Sequence, residues 1–185
     1  MLLRRLFGIF VVMSVLVAGF GAAACGGGAQ RNALGSRRIA VADRTAAPAM
    51  RGEYMGGGGS FDLAQHKGQV VVINFWASYC APCRSEAPEL EKVLTATKAD
   101  GVTFVGVNVR DQRDLAAAYL ADIKPAYGSI FDPAGELQLD FDVPPNSIPA
   151  TLVVDRSGKL AAVMRMEVDQ KILEPVVRDL LAEQA

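Results

Sequence analysis

Val70-Val71-Val72-Ile73-Asn74-Phe75-Trp76-Ala77-Ser78-Tyr79-Cys80-Ala81-Pro82-Cys83-Arg84 is the stretch on which the reading of this chain turns. Its first seven residues are almost continuously apolar, as in a strand buried on both faces of a sheet. Two cysteines two residues apart follow directly, and then Ser85-Glu86-Ala87-Pro88-Glu89-Leu90-Glu91-Lys92-Val93-Leu94, which has helical spacing. A Cys-x-x-Cys between a buried strand and a helix start suits dithiol–disulfide chemistry. The two sulfurs can close into one bond, and the positive end of the helix stabilises a thiolate there. Cys80 falls in the N-cap region and is expected to be the nucleophile and the more exposed sulfur. Cys83, one turn further in, is expected to resolve the mixed disulfide and release product. Pro82 fits the first turn, where its missing N–H leaves nothing unpaired. Two other readings of the pair exist. A zinc site needs about four ligands, and only His66, the sole histidine, lies beyond the pair. A structural disulfide is the other, although a loop this tight is labile.

Outward from this stretch, strands and helices alternate. Val102–Val109 reads as a second buried strand and Asp111–Ile123 as an amphipathic helix. Ile130–Gly135 reads as a short strand into a turn, and Glu136–Phe141 as a short helix. Thr151–Asp155 and Lys159–Met166 form a hairpin around Arg156-Ser157-Gly158, and Asp169–Glu183 is a closing helix that contains Pro175. The order β-α-β-α-β-β-α argues for an α/β domain with a central mixed sheet flanked by helices.

At the other end, Arg4 and Arg5 precede an apolar run from Leu6 to about Phe20, and Gly21-Ala22-Ala23-Ala24-Cys25 follows. This is the pattern of a secretory signal peptide over 1–24. An uncleaved anchor is the other reading, but the run is short of the ~20 apolar residues a span needs. Small residues before Cys25 and Gly26-Gly27-Gly28 after it resemble a bacterial lipoprotein processing site, at which Cys25 would be lipidated. A plain signal-peptidase site is the alternative. Residues 25–51, rich in Gly, Ala and Arg without hydrophobic period, are expected to be a flexible tether, and 52–185 the folded domain. The chain carries 19 Lys and Arg against 20 Asp and Glu, so no basic surface argues for nucleic acid. Of three cysteines, one belongs to the export segment. A domain of this size needs no disulfide for its core, so the remaining pair reads as reactive.

Val72-Ile73-Asn74-Phe75-Trp76-Ala77-Ser78-x-Cys80-x-Pro82-Cys83, then Glu86 and Pro88, then Ile148-Pro149-Ala150-Thr151-Leu152-Val153-Val154-Asp155-Arg156-x-Gly158, resembles the TlpA/ResA-like thioredoxins. These are extracytoplasmic, membrane-tethered relatives of thioredoxin, and the likeness runs from about Phe61 to the C-terminus. It implies a thioredoxin fold with an α/β element inserted between the second and third core strands. It implies a cis Ile148–Pro149 peptide facing the dithiol, whose exposed backbone pairs with a client strand. It also implies an acidic residue, Glu86, beneath the dithiol that influences proton transfer. Asn74 stands where cytoplasmic thioredoxins carry a buried Asp, which gives Glu86 more to do. Tyr79 stands where Trp is usual. Together with Trp76, chiefly a packing residue, it is expected to flank the dithiol on the client side.

The function expected is an extracytoplasmic, membrane-anchored thiol–disulfide oxidoreductase without cofactor or metal. The resemblance implies a reductant that draws electrons from a membrane thiol transporter and reduces clients such as apocytochrome c. The rivals are an oxidant or isomerase of the DsbA kind, a thiol peroxidase and a thioredoxin-fold copper carrier. The last uses two cysteines and a distant histidine, and the C-terminal half has no histidine.

Overall fold

The structure is a computed structural model and describes residues 35–183. The expected signal peptide, Cys25 and the first part of the expected tether lie outside the described residues.

The strands are β1 (Ser36–Arg38), β2 (Arg51–Glu53), β3 (Ser60–Asp62), β4 (Val70–Trp76), β5 (Val102–Val109), β6 (Ser129–Asp132), β7 (Ala150–Val154) and β8 (Leu160–Met164). The helices are α1 (Ala81–Thr97), α2 (Arg113–Ile123), α3 (Glu136–Asp140) and α4 (Gln170–Ala182). Six strands form one mixed sheet in the order β1-β8-β7-β4-β5-β6, and β2 and β3 form a separate hairpin. β4, β5 and β6 run parallel, joined by α1 and α2. Parallel neighbours need such crossovers, whereas β7 and β8 join through a tight turn. β7 is antiparallel to β4, and β8 to β7. The expected α/β architecture holds, with β6 and α3 inserted between β5 and β7.

The continuous apolar run in β4 is explained by burial on both faces. Val71, Ile73 and Phe75 point into one cluster with Val105, Val107 and Leu152, closed by Met50, Phe61 and Leu63 before β4 and by Phe141 and Val143 before β7. Val70 and Val72 point the other way, onto Leu90 and Val93 of α1 and Leu173 and Val177 of α4. Pro175 is the sixth residue of α4, past the first turn, so its missing N–H removes one internal hydrogen bond, that to the carbonyl four residues earlier. His66 is half-buried and stacks on Phe61 with ring centroids 4.6 Å apart.

The expected boundary at residue 52 is corrected. Ser36–Arg38 pair antiparallel with Ala162–Met164, and Met50 is buried in the core. The Arg44 guanidinium, its side chain only 7% exposed, grips both Glu183 carboxylate oxygens at 2.5 and 2.8 Å and Asp155 at 3.1 Å. The composition suggested a tether because a three-residue edge strand and a single buried Arg leave no hydrophobic period. The strap is nonetheless part of the body. Arg44→Ala is expected to lower stability by about 2 kcal/mol in a urea titration. That lies below the cost of breaking a fully buried pair, because Asp155 keeps hydrogen bonds from Ser157 and Lys159.

Candidate active site

Ligand sites in open α/β sheets lie outside the carboxyl ends of the parallel strands. β4 ends at Trp76, and Ala77-Ser78-Tyr79 carry the chain to Cys80, the N-cap of α1. Cys80 and Cys83 are joined as a disulfide with Cα atoms 5.3 Å apart, and Cys80 Sγ accepts a hydrogen bond from the Cys83 amide at 3.2 Å. A sulfur at this position receives the unpaired N–H groups of the first helical turn. Cys80 and Cys83 are 7% and 4% exposed. The expected difference in exposure is therefore slight in the oxidised state, because Trp76, Ala77, Ala116 and Ile148 close around both sulfurs.

Ile148–Pro149 is cis, and Ile148 packs against the dithiol cluster. Tyr79, next to Cys80 in the chain, is 64% exposed. Trp76 differs from its expected place on the client side. It is buried, packs at 5.4 Å on Tyr119, and its Nε1 donates to Ser129 Oγ at 3.1 Å. Gly106 makes room for that bond, since a Cβ there would come within 2.1 Å of Ser129 Oγ. The Arg84 guanidinium, exposed at the helix start, lies 5.2 Å over the Tyr119 ring.

Glu86 is fully buried, on the same face of α1 as Cys83 three residues earlier. Asn74 Nδ2 donates to Glu86 Oε1 at 2.7 Å, and the Val168 amide donates to Oε2 at 3.0 Å. Asn74 also donates to Thr151 Oγ1 at 3.1 Å. Burial raises the Glu86 pKa and the two donors oppose it, leaving the carboxyl at about 7. A small cavity, one water in size, lies beside Cys83 among Asn74, Trp76, Tyr119, Tyr127 and Ser129.

Asp111 belongs to the site and was not anticipated. It accepts from the Ser78 amide at 2.5 Å and Ser78 Oγ at 2.9 Å, from Asn108 Nδ2 at 2.9 Å and from the Gln112 amide at 2.8 Å. Partial burial alone would raise its pKa, but these hydrogen bonds outweigh it and hold the carboxyl below the ordinary value. The available signal was an acidic residue just past the end of the second buried strand, level with the dithiol. The clamp ties the reactive loop to the start of α2. Asp111→Ala leaves the Ser78 amide and the Asn108 side chain without their acceptor, and about 2 kcal/mol of stability should be lost on thermal or urea unfolding.

The arrangement is an oxidised vicinal pair at a helix N-terminus, backed by an acid that titrates near neutrality and flanked by a cis proline. Residues 44–163 match the AhpC/TSA family. The chain is 34% identical over 155 residues to the thiol:disulfide interchange protein HelX of Rhodobacter capsulatus, covering 83% of this chain and 84% of that one. A secreted thiol-disulfide isomerase from Corynebacterium glutamicum superposes with a TM-score of 0.76 at 33% identity, over 83% of this chain and 96% of that one. A DsbF homologue from Corynebacterium diphtheriae gives 0.73 at 32%, over 81% and 96%.

Proposed function

Since the chain belongs to the AhpC/TSA family and is a thiol-disulfide oxidoreductase, we propose that it acts outside the cytoplasm as a reductant of client-protein disulfides, held to the membrane through Cys25. Apocytochrome c, whose haem-attachment cysteines must be reduced, is the leading client. In the reduced protein the Cys80 thiolate attacks a client disulfide, and one client sulfur leaves and takes up a proton. Cys83 then attacks Cys80 Sγ of the mixed disulfide and releases the second client thiol. Two electrons and two protons pass to the client, and the Cys80–Cys83 disulfide described above is left. A membrane thiol transporter would reduce it again. Tyr79, Ile148 and Pro149 would hold the client strand during the exchange.

Glu86 carries the direction. A strong oxidant owes its potential to a stabilised reduced form. A buried carboxyl three residues from Cys83, ionised above about pH 7, opposes thiolate formation beside it and tilts the pair towards the disulfide. The C. glutamicum relative is described as an isomerase, which favours a higher potential as the second reading. Titration of the pair against a thiol buffer separates the two. A value of about −270 mV or lower, as in thioredoxin, is expected for the reductant, whereas one close to the −120 mV of a strong oxidant would sink it. Cys83→Ser in cells should hold the client covalently on Cys80 and identify it.

A further inference from the structure

The cavity beside Cys83 is one water in size, and four elements meet around it. Asn74 and Trp76 of β4, Cys83 of α1, Tyr119 of α2 and Ser129 of β6 line it, and the rest of its wall is largely apolar. Two of these groups have hydrogen-bonding capacity to spare. The Tyr119 hydroxyl is buried and finds no partner among the described residues. Ser129 Oγ accepts from Trp76 Nε1 at 3.1 Å, which leaves its own proton to give. Buried hydroxyls normally have a protein or water partner. The Tyr119 ring is held in place by Trp76, at 5.4 Å, and by the Arg84 guanidinium, 5.2 Å over its centroid. Glu86 does not line the cavity, and its two oxygens are taken by the Asn74 side chain and the Val168 amide. Its charge reaches Cys83, but the cavity offers the sulfur a hydrogen bond from a different source.

We propose that Tyr119 is a positioning residue for the exchange: through one water held in this cavity, its hydroxyl supplies a hydrogen bond to Cys83 Sγ and stabilises Cys83 as a leaving thiolate. The water accepts from the Tyr119 and Ser129 hydroxyls and donates to the sulfur, which gives it the three partners a buried water commonly has. When an incoming thiolate attacks Cys80 Sγ, a new S–S bond forms there and the Cys80–Cys83 bond breaks, its electron pair staying on Cys83. No proton moves in that step. A second thiolate then displaces Cys80, and the two cysteine thiolates take up two protons from solvent. A leaving thiol of lower pKa departs faster, so the hydrogen bond speeds the first step. The groups that face this spot are Arg84 and Glu86 on α1, Asp122 on α2, and Tyr127 before β6 with Glu91 near it. Burial raises the Tyr119 pKa, so the phenol keeps its proton at neutral pH and can donate it. Glu86 and Tyr119 thus act on Cys83 in opposite senses, the carboxylate against the thiolate and the hydroxyl for it.

Tyr119→Phe keeps the ring on Trp76 and Arg84 and deletes only the hydroxyl. In the full-length protein, reduction of the disulfide by dithiothreitol at pH 7, quenched with acid and read by mass after alkylation, should slow about threefold. In a Cys80→Ser background, the pH midpoint for alkylation of Cys83 by iodoacetamide should rise by about one unit, a tenfold loss of acidity. Following the Cys83 peptide alone keeps Cys25 out of the reading. The same rise should appear when Glu86→Gln is added. An unchanged rate and midpoint would make the hydroxyl an idle packing group and overturn the proposal. A rise that vanishes with Glu86→Gln would route the effect through the acid and overturn it equally. The proposal needs the dithiol exchange alone, so its failure leaves the reductant reading to the redox titration.

Discussion

Cys80→Ser abolishes disulfide reduction, with turnover of insulin-type disulfides falling by roughly a thousandfold or more. The loss is chemical. A serine hydroxyl forms no useful population of the anion at neutral pH, so the attack that opens the cycle is missing. The fold should be untouched, because position 80 is the N-cap of α1, where Cys80 Sγ accepts the Cys83 amide at 3.2 Å and serine is among the preferred residues. Circular dichroism of the variant should therefore match the parent. Cys83→Ser fails differently. It attacks once, stops at the mixed disulfide, and releases one thiol equivalent per molecule. If Cys80→Ser retained turnover, the N-cap sulfur would not be the nucleophile.

Glu86→Gln removes a large pH-dependent penalty on the folded state. The Glu86 carboxyl has a pKa of about 7 when folded, against 4.5 in the absence of the fold. Below 4.5 both states hold the proton and nothing is lost. Between 4.5 and 7 the unfolded chain releases it while the folded chain retains it, so stability falls as pH rises. Above about 7 the loss is complete, at about 3 kcal/mol. The glutamine does not titrate. Relative to the parent, the variant should therefore gain about 3 kcal/mol between pH 4 and pH 8 in urea unfolding. A constant offset of opposite sign is expected, because Gln supplies one acceptor where the Asn74 amide and the Val168 amide need two. The pH profile of disulfide reduction should also lose its inflection near 7. A parent and variant with parallel stability profiles would place the Glu86 titration elsewhere.

What the sequence made legible follows from how local each signal was. The buried strand, the helix after it and the dithiol between them lie within 28 consecutive residues, Val70 to Thr97, and each carries its own pattern. Glu86 was a harder case. On α1 alone it is an ordinary helix glutamate, and only the approach of Asn74 from β4 and Val168 from before α4 makes it a buried acid. Asp111 was hidden for the same reason, since its partner Ser78 is 33 residues away. The full burial of Trp76 was equally out of reach, because the residues that cover it, Tyr119 and Ser129, come from α2 and β6. The strap at 36–50 carries no period of its own, since its order comes from distant strands and charges.

That strap also bears on how the molecule behaves towards copies of itself. An outermost strand with open N–H and C=O groups is a template for another chain. Here β1 covers β8 on one flank of the sheet, and on the other Tyr54 bridges Ile130 while the Met55 amide donates to Ser129 O at 2.8 Å. A chain trimmed to begin at Gly52, as composition suggests, would strip the guard from Ala162–Met164, three buried apolar residues with their backbone freed. Such a fragment would keep the whole redox site and yet stick to its neighbours strand to strand. The residues that look most expendable in this sequence are the ones that cover this flank of its sheet.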